Sequence, residues 1–400
     1  MIMKKIIIAL TATCGLLLGS ATFAAGQDPN AALRNAFKTK NYRQAFVISS
    51  DFAKKGDPSG QYVLGQLYLD GRGVQKNPKI AFSWFKKAAE KHHPLAQFAL
   101  GSLYATGQGT GKNMKQAQLW FNRAAQRGVA PAMRALGIIY EKGDGVPKNM
   151  GAAMTWYEKA AHKGMTDVQM MLAERYLKGI GVRPNPGKAF AFANKALKSP
   201  AAKTDASYFV GLMYATGKGI KKNPHLAFKH MKVAADAGLP AAQYSLGSMY
   251  IQGVGTKKNP QMAFKMFNLA ARKNIPLAQH NLGLMYLQGK GVARNPGMAF
   301  NWINKAAQKG LASSQFLLGD LYVDGVGVKA KNHKMALSWY RKAAAQGLPM
   351  AEYSVGAMYA NGFGVKRDLH QARAWFTKAA KKGLPRAKKA LQQVNQMLRQ

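Results

Sequence analysis

The chain of 400 residues returns to the same motif every 36 residues. LGQLYLDGRGV at Leu64 recurs as LGSLYATGQGT at Leu100, LGIIYEKGDGV at Leu136 and LAERYLKGIGV at Leu172, and then at Val210, Leu246, Leu282, Leu318 and Val355. Only two intervals are longer, by two residues before Val210 and by one before Val355. A unit this short cannot bury its own apolar face. It becomes stable by stacking on copies of itself, which restricts the chain to an open-ended array.

A second block alternates with the first: AFSWFKKAA at Ala81, AQLWFNRAA at Ala117, AMTWYEKAA at Ala153 and six later counterparts. Both blocks space apolar residues by three and four and are rich in Ala, Leu, Met and Lys, so each predicts an amphipathic helix. Asn77, Asn113, Asn149, Asn185, Asn223, Asn259, Asn295, Asn332 and Asp368 stand where N-caps of the second helices belong, five of them followed by Pro. Gly128, Gly164, Gly238, Gly310, Gly347 and Gly383, with Asn274 as substitute, suit the left-handed residue after a helix. The fold class is therefore all-α: a right-handed α-solenoid of nine helix-turn-helix repeats. The expected organisation is a leader over 1–24, a degenerate capping helix pair over 25–57, the repeats over 58–383 and a capping helix over 384–400, with Leu391, Val394, Met397 and Leu398 facing inward.

The stretch GVGTKKNP, Gly253 to Pro260, has the look of a phosphate cradle. A P-loop or dinucleotide loop follows a strand and occurs once. This one follows a helix and has eight counterparts, so its glycines are read as supplying backbone angles for a turn.

The motif LGxxYxxGxGV, followed by AxxWYxKAA and an exit glycine, resembles the Sel1-like repeat family, relatives of the tetratricopeptide repeats, from about Tyr62 to Gly383. The resemblance implies a non-enzymatic adaptor scaffold, at work in bacterial envelope, secretion or host-interaction settings or in eukaryotic quality-control complexes. It also implies that the first helices line a concave groove. Some secreted relatives carry a disulfide in each repeat, which this chain lacks.

On that face stand Tyr62, Phe98, Arg134, Met170, Tyr208, Tyr244, His280, Phe316 and Tyr353. The column reads either as a ladder for a protein or peptide partner or as ordinary packing, since aromatics serve both ends. On the second helices Trp84, Trp120, Trp156, Phe192, His230, Met266, Trp302, Trp339 and Trp375 read as core. Loss of Trp in the middle three marks either a change of curvature or a partner's seat. Just before the caps run Lys76, Lys112, Lys148, Arg183, Lys222, Lys258, Arg294, Lys331 and Arg367, a stripe of cations suited to a polyanion touching several at once.

Lysines followed by the apolar stretch Ile6–Leu18 and small residues to Ala25 predict a secretory leader cleaved after about Ala24, and hence an exported chain, periplasmic or secreted. No later run is long enough to span a bilayer. The single cysteine, Cys14, falls within that leader, so disulfides and thiol chemistry are not expected in the mature chain. A net charge of +43 favours acidic partners such as anionic glycans, lipid headgroups or acidic proteins. Nucleic acid fits poorly with export and with the lack of a reader motif. No HExxH pair, no Cys/His cluster and no paired carboxylates point to a metal, a cofactor or catalysis. A polyanion or envelope-surface binder and a regulator of a cell-wall enzyme are the alternatives to a protein scaffold.

Overall fold

A computed structural model describes residues 29–399, so the expected leader and Cys14 lie outside the described residues. The described residues form helices and no strand, and the chain divides into two compact units, one ending at Ala202 and the other starting at Lys203. The two-residue insertion near Ser199-Pro200 falls at that division.

The first unit holds α1 (Pro29–Lys38), α2 (Tyr42–Lys54), α3 (Pro58–Asp70), α4 (Pro78–Glu90), α5 (Pro94–Thr106), α6 (Met114–Gln126), α7 (Ala130–Lys142), α8 (Met150–His162), α9 (Thr166–Lys178) and α10 (Pro186–Ala196). The second holds α11 (Lys203–Thr216), α12 (Pro224–Asp236), α13 (Pro240–Gln252), α14 (Pro260–Arg272), α15 (Pro276–Gln288), α16 (Pro296–Gln308), α17 (Ala312–Asp324), α18 (His333–Ala345), α19 (Pro349–Asn361), α20 (Leu369–Lys381) and α21 (Pro385–Met397). Within each unit a helix packs chiefly on its sequence neighbours, which is the solenoid arrangement.

Local chemistry sets the boundaries. Each predicted cap residue accepts a backbone N–H in the first turn of its second helix, as Asn149 does from Ala152 at 2.9 Å and Asp368 from Gln371 at 2.9 Å. The first helices often begin with Pro at the first position instead, at 58, 94, 240, 276, 349 and 385. Most have an apolar residue such as Leu239 or Ile275 in the cap position, with no side-chain bond. Two early copies differ: Asp57 accepts from Gly60 N–H at 2.5 Å, and His93 Nδ1 accepts from Ala96 N–H at 3.2 Å. His92 takes the exit glycine's place with φ +64°.

His93 stacks on Tyr62 with ring centroids 5.0 Å apart, and burial lowers its pKa from 6.5 to about 4 against a smaller opposing pull from Asp57. The unfolded imidazole takes a proton near 6.5, whereas the folded one resists until about 4. Its contribution is therefore whole above 6.5 and falls away as pH drops toward 4, by about 2–3 kcal/mol. His93→Asn keeps a cap acceptor without that titration. Urea unfolding at about pH 7 and about pH 4.5 is expected to show a smaller acid loss in the variant than in the parent.

Within a repeat, the helix pair closes around one contact. The glycine of the first helix lies under a large side chain of the second: a Cβ at Gly65 would sit 2.9 Å from Phe85, at Gly101 2.8 Å from Phe121, at Gly247 2.8 Å from Phe267 and at Gly356 2.7 Å from Phe376. Only glycine lets the two backbones come that close. The fourth repeat exchanges both partners for Ala173 and Ala193, each fully buried, so volume lost on one helix is partly restored on the other. This column is the core: Phe85, Phe121, Tyr157, Met231, Phe267, Ile303, Tyr340 and Phe376 are all at most 4% exposed.

The tryptophan column one residue earlier differs from the core reading given by its period. Trp120 and Trp339 are buried, but Trp84, Trp156, Trp302 and Trp375 are only half-buried, each with a lysine ammonium over its ring at 4.2–4.5 Å. A residue's turn of about 100° carries this column from the helix–helix seam to its edge, where the indole covers apolar surface and the lysine stem covers the indole. On the C-terminal helix, Val394 is buried while Met397, expected to face inward, is 48% exposed.

A third repeated contact joins one repeat to the next. Gln97 Nε2 donates to the Ala89 carbonyl at 3.2 Å, Gln169 to Ala161 at 2.8 Å, Gln279 to Ala271 at 3.1 Å and Gln315 to Ala307 at 3.2 Å. Each buried amide thus satisfies one of the open carbonyls at the end of the preceding helix. In the last repeat Glu352 replaces the glutamine, and its buried carboxylate meets the Lys382 ammonium at 2.6 Å.

Candidate functional site

The first-helix column follows a different course in the two units. In the first, Tyr62 and Phe98 are buried at 6% and 4% exposure and tilt against Phe85 and Phe121, with ring centroids 5.8 and 5.7 Å apart. Arg134 instead reaches Asp167 at 3.1 Å, and Met170 is half-buried. In the second unit Tyr208, Tyr244, His280, Phe316 and Tyr353 are all half-buried. Tyr244, Phe316 and Tyr353 lean on the core rings Phe267, Tyr340 and Phe376 at 5.8, 5.6 and 5.4 Å. His280 Nδ1 lies 2.8 Å from the Ser314 hydroxyl, and burial lowers its pKa. Each ring therefore offers one edge to solvent and keeps the other in the core.

Two clefts open on this face of the second unit. One, of about 170 Å³, lies between α13 and α15 and is lined by Ser248, Gln252, Asn281, Leu284 and Gln288 among others. The other, of about 470 Å³, lies where α19 and α20 meet α21, and is lined by Tyr353, Asn361, Arg367, Phe376, Gln393 and Met397 with smaller neighbours. They occupy the same position in the repeat. Gln252 and Asn361 correspond, as do Ser248 and Ala357, and α21 takes the place of a tenth first helix. Both set apolar side chains, such as Leu284 in one and Val394 in the other, beside side-chain amides, a lining that can take apolar side chains and hydrogen-bond a peptide backbone. The larger cleft brings together one member of each predicted set, Tyr353 and Arg367.

All nine turn cations are exposed. Lys112 comes within 4.0 Å of Asp144, while Arg294 and Arg367 donate through Nε to the carbonyls of Leu287 and Ala360 at 3.2 and 3.1 Å. Those two bonds pin the guanidinium groups to the first-helix ends.

Sequence reading missed a polar network confined to the third and fourth repeats. Tyr157 donates to Glu141 at 2.6 Å, and Arg175 donates to the other Glu141 oxygen at 2.6 Å. Burial raises the Glu141 pKa, but these two bonds outweigh it and the net shift is downward. Glu158 accepts from Tyr176 and from Lys188. Five acidic residues between Glu141 and Glu174 in an otherwise basic chain were the available signal. Among the described residues no three His, Cys, Asp or Glu side chains gather as a metal site, and no helix is long and apolar enough to cross a membrane.

The sequence profile of the Sel1 repeat matches nine consecutive segments: 58–93, 94–129, 130–165, 166–199, 204–239, 240–275, 276–311, 312–348 and 349–384. The chain belongs to the Sel1 repeat family. The break between the fourth and fifth Sel1 segments, after 199, coincides with the division between the two units. Among solved structures the chain is similar to a protective antigen present in uropathogenic Escherichia coli strains displaying an SLR fold, at 30% identity over 92% of this chain and 80% of that one, with a TM-score of 0.77. It is also similar to a Sel1 repeat protein from Oxalobacter formigenes, at 25% identity over 96% of this chain and 99% of that one, with a TM-score of 0.44. No curated protein matches. Sel1 repeat proteins generally mediate protein–protein interaction and are generally not enzymes.

Proposed function

We propose that this Sel1 repeat protein is an exported, non-enzymatic scaffold that holds an extended segment of a partner protein against the first-helix face of its second unit. The observation that carries this is the pair of amide-lined clefts at equivalent repeat positions, the larger of them walled by the half-buried ring of Tyr353. Export rests on the leader-like first 24 residues and is in keeping with the likeness to a protective antigen of uropathogenic Escherichia coli strains.

Photo-crosslinking groups placed at Gln288 and at Asn361 are expected to capture the same polypeptide from envelope fractions. Tyr353→Ala is expected to weaken that partner's binding by on the order of tenfold or more, as for an aromatic anchor. Moderate salt should change it little. A partner captured only from the turn cations, released by salt and indifferent to Tyr353→Ala, would overturn the reading. It would support instead a polyanion or envelope-surface binder acting through Lys76 and its eight counterparts, an alternative that rests on all nine of those cations being exposed.

A further inference from the structure

The second-helix layer of the last three repeats carries a surface of another kind. We infer that the outer face of α16, α18 and α20 docks on an anionic lipid surface. This goes beyond the scaffold reading, which uses the first helices, and either can fail without the other.

These three helices contain no acidic residue. At the same position in each, a lysine ammonium sits over an indole: Lys305 over Trp302 at 4.5 Å, Lys342 over Trp339 at 3.9 Å and Lys378 over Trp375 at 4.2 Å. A free lysine would spread its charge over many rotamers, whereas a ring beneath it holds the charge in register, one per repeat. Packed helices lie about 8–10 Å apart, close to the screening length of about 8 Å at physiological salt. A surface that meets all three at once therefore gains from each separately.

The second observation selects the partner. One turn before the first two tryptophans stand Met298 and Met335, 37% and 39% exposed. Both lie on the line that leads to the indole and the ammonium, so an apolar stretch and a cationic end share one helix face. A hydrated polyanion such as a sulfated glycan rewards the lysines and gives the methionines nothing. A bilayer interface takes both, the methionines and the edges of the half-buried Trp302 and Trp375 at the acyl boundary and the ammonium groups among phosphates, while the buried Trp339 serves only to hold Lys342 in place.

The test is co-sedimentation of the full chain with vesicles of phosphatidylglycerol mixed with phosphatidylcholine, beside pure phosphatidylcholine. Binding to the anionic vesicles alone is expected. Replacing Lys305, Lys342 and Lys378 by Gln should lower it by on the order of a hundredfold at low salt, and Met298→Ser with Met335→Ser by on the order of tenfold. All five positions are exposed, and a thermal melt confirms that the variants remain folded. Failure of the parent protein to bind the anionic vesicles overturns the inference. So does binding that falls with the lysines but ignores the methionines, with equal affinity for dextran sulfate, which would name a polyanion as ligand. Binding that survives these variants but falls with Lys222→Gln and Lys258→Gln would move the site to the turns and equally overturn it.

Discussion

Truncating Phe121 to alanine is expected to destabilise the first unit by about 3–5 kcal/mol, because the ring is 1% exposed and nothing else can fill its place above Gly101. Gly101→Ala should cost about 1–3 kcal/mol by the opposite route, forcing a methyl group to within 2.8 Å of the same ring. The informative variant is the double one. The new methyl then occupies part of the space that the ring vacates, so the combined loss should fall short of the sum by about 0.5–3 kcal/mol. The chain already contains this solution at Ala173 and Ala193. Strict additivity in urea unfolding of the three variants would show that glycine and ring are not one contact.

The second large effect concerns Gly255→Ala, with Gly238→Ala as its control. Both glycines have positive φ, +71° and +89°, so alanine is strained at either by roughly 1–2 kcal/mol. They differ in what surrounds them. A Cβ at Gly238 meets nothing within 4 Å, whereas one at Gly255 would lie 2.0 Å from the Pro224 carbonyl oxygen, on the first turn of the preceding repeat's second helix. Gly255→Ala must therefore push two repeats apart and should cost on the order of 3–5 kcal/mol, with Gly238→Ala near 1. Hydrogen exchange should show the extra loss as opening of α12 and α13. Equal losses would reduce Gly255 to a turn residue and nothing more.

That comparison shows where the sequence was legible. Period, asparagine caps and exit glycines predict the helices and their order from local chemistry alone, because each concerns residues a few positions apart. The second glycine of each turn reads correctly as a positive-φ residue, but its closeness to the neighbouring repeat involves an atom some thirty residues away. Trp84 and Phe85 recur with the same period, so periodicity cannot say which one faces inward. The deciding signal was the glycine opposite, together with the paired exchange to Ala173 and Ala193. The exposure of Tyr208 compared with Tyr62 depends on how neighbouring first helices sit, which no single repeat encodes. The clefts were illegible for the same reason: one opens where the small residue Ala357 of α19 comes to face Ala390 of α21, more than thirty residues later in the chain.

The bonds that bridge consecutive exits all point one way along the chain. Lys91 Nζ donates to the Gly56 carbonyl at 2.5 Å, Lys309 to Asn274 at 3.1 Å, Gln346 to Gly310 at 2.9 Å and Lys382 to Gly347 at 2.9 Å, each from a later repeat to an earlier one. A bend so clasped has its carbonyl held by its successor, and the exit at Gln346-Gly347 is tied in both directions. Removing a later repeat would free the carbonyl of the exit before it, and removing an earlier one would strand the ammonium or amide of the exit after it, so every clasp depends on both of the repeats it joins.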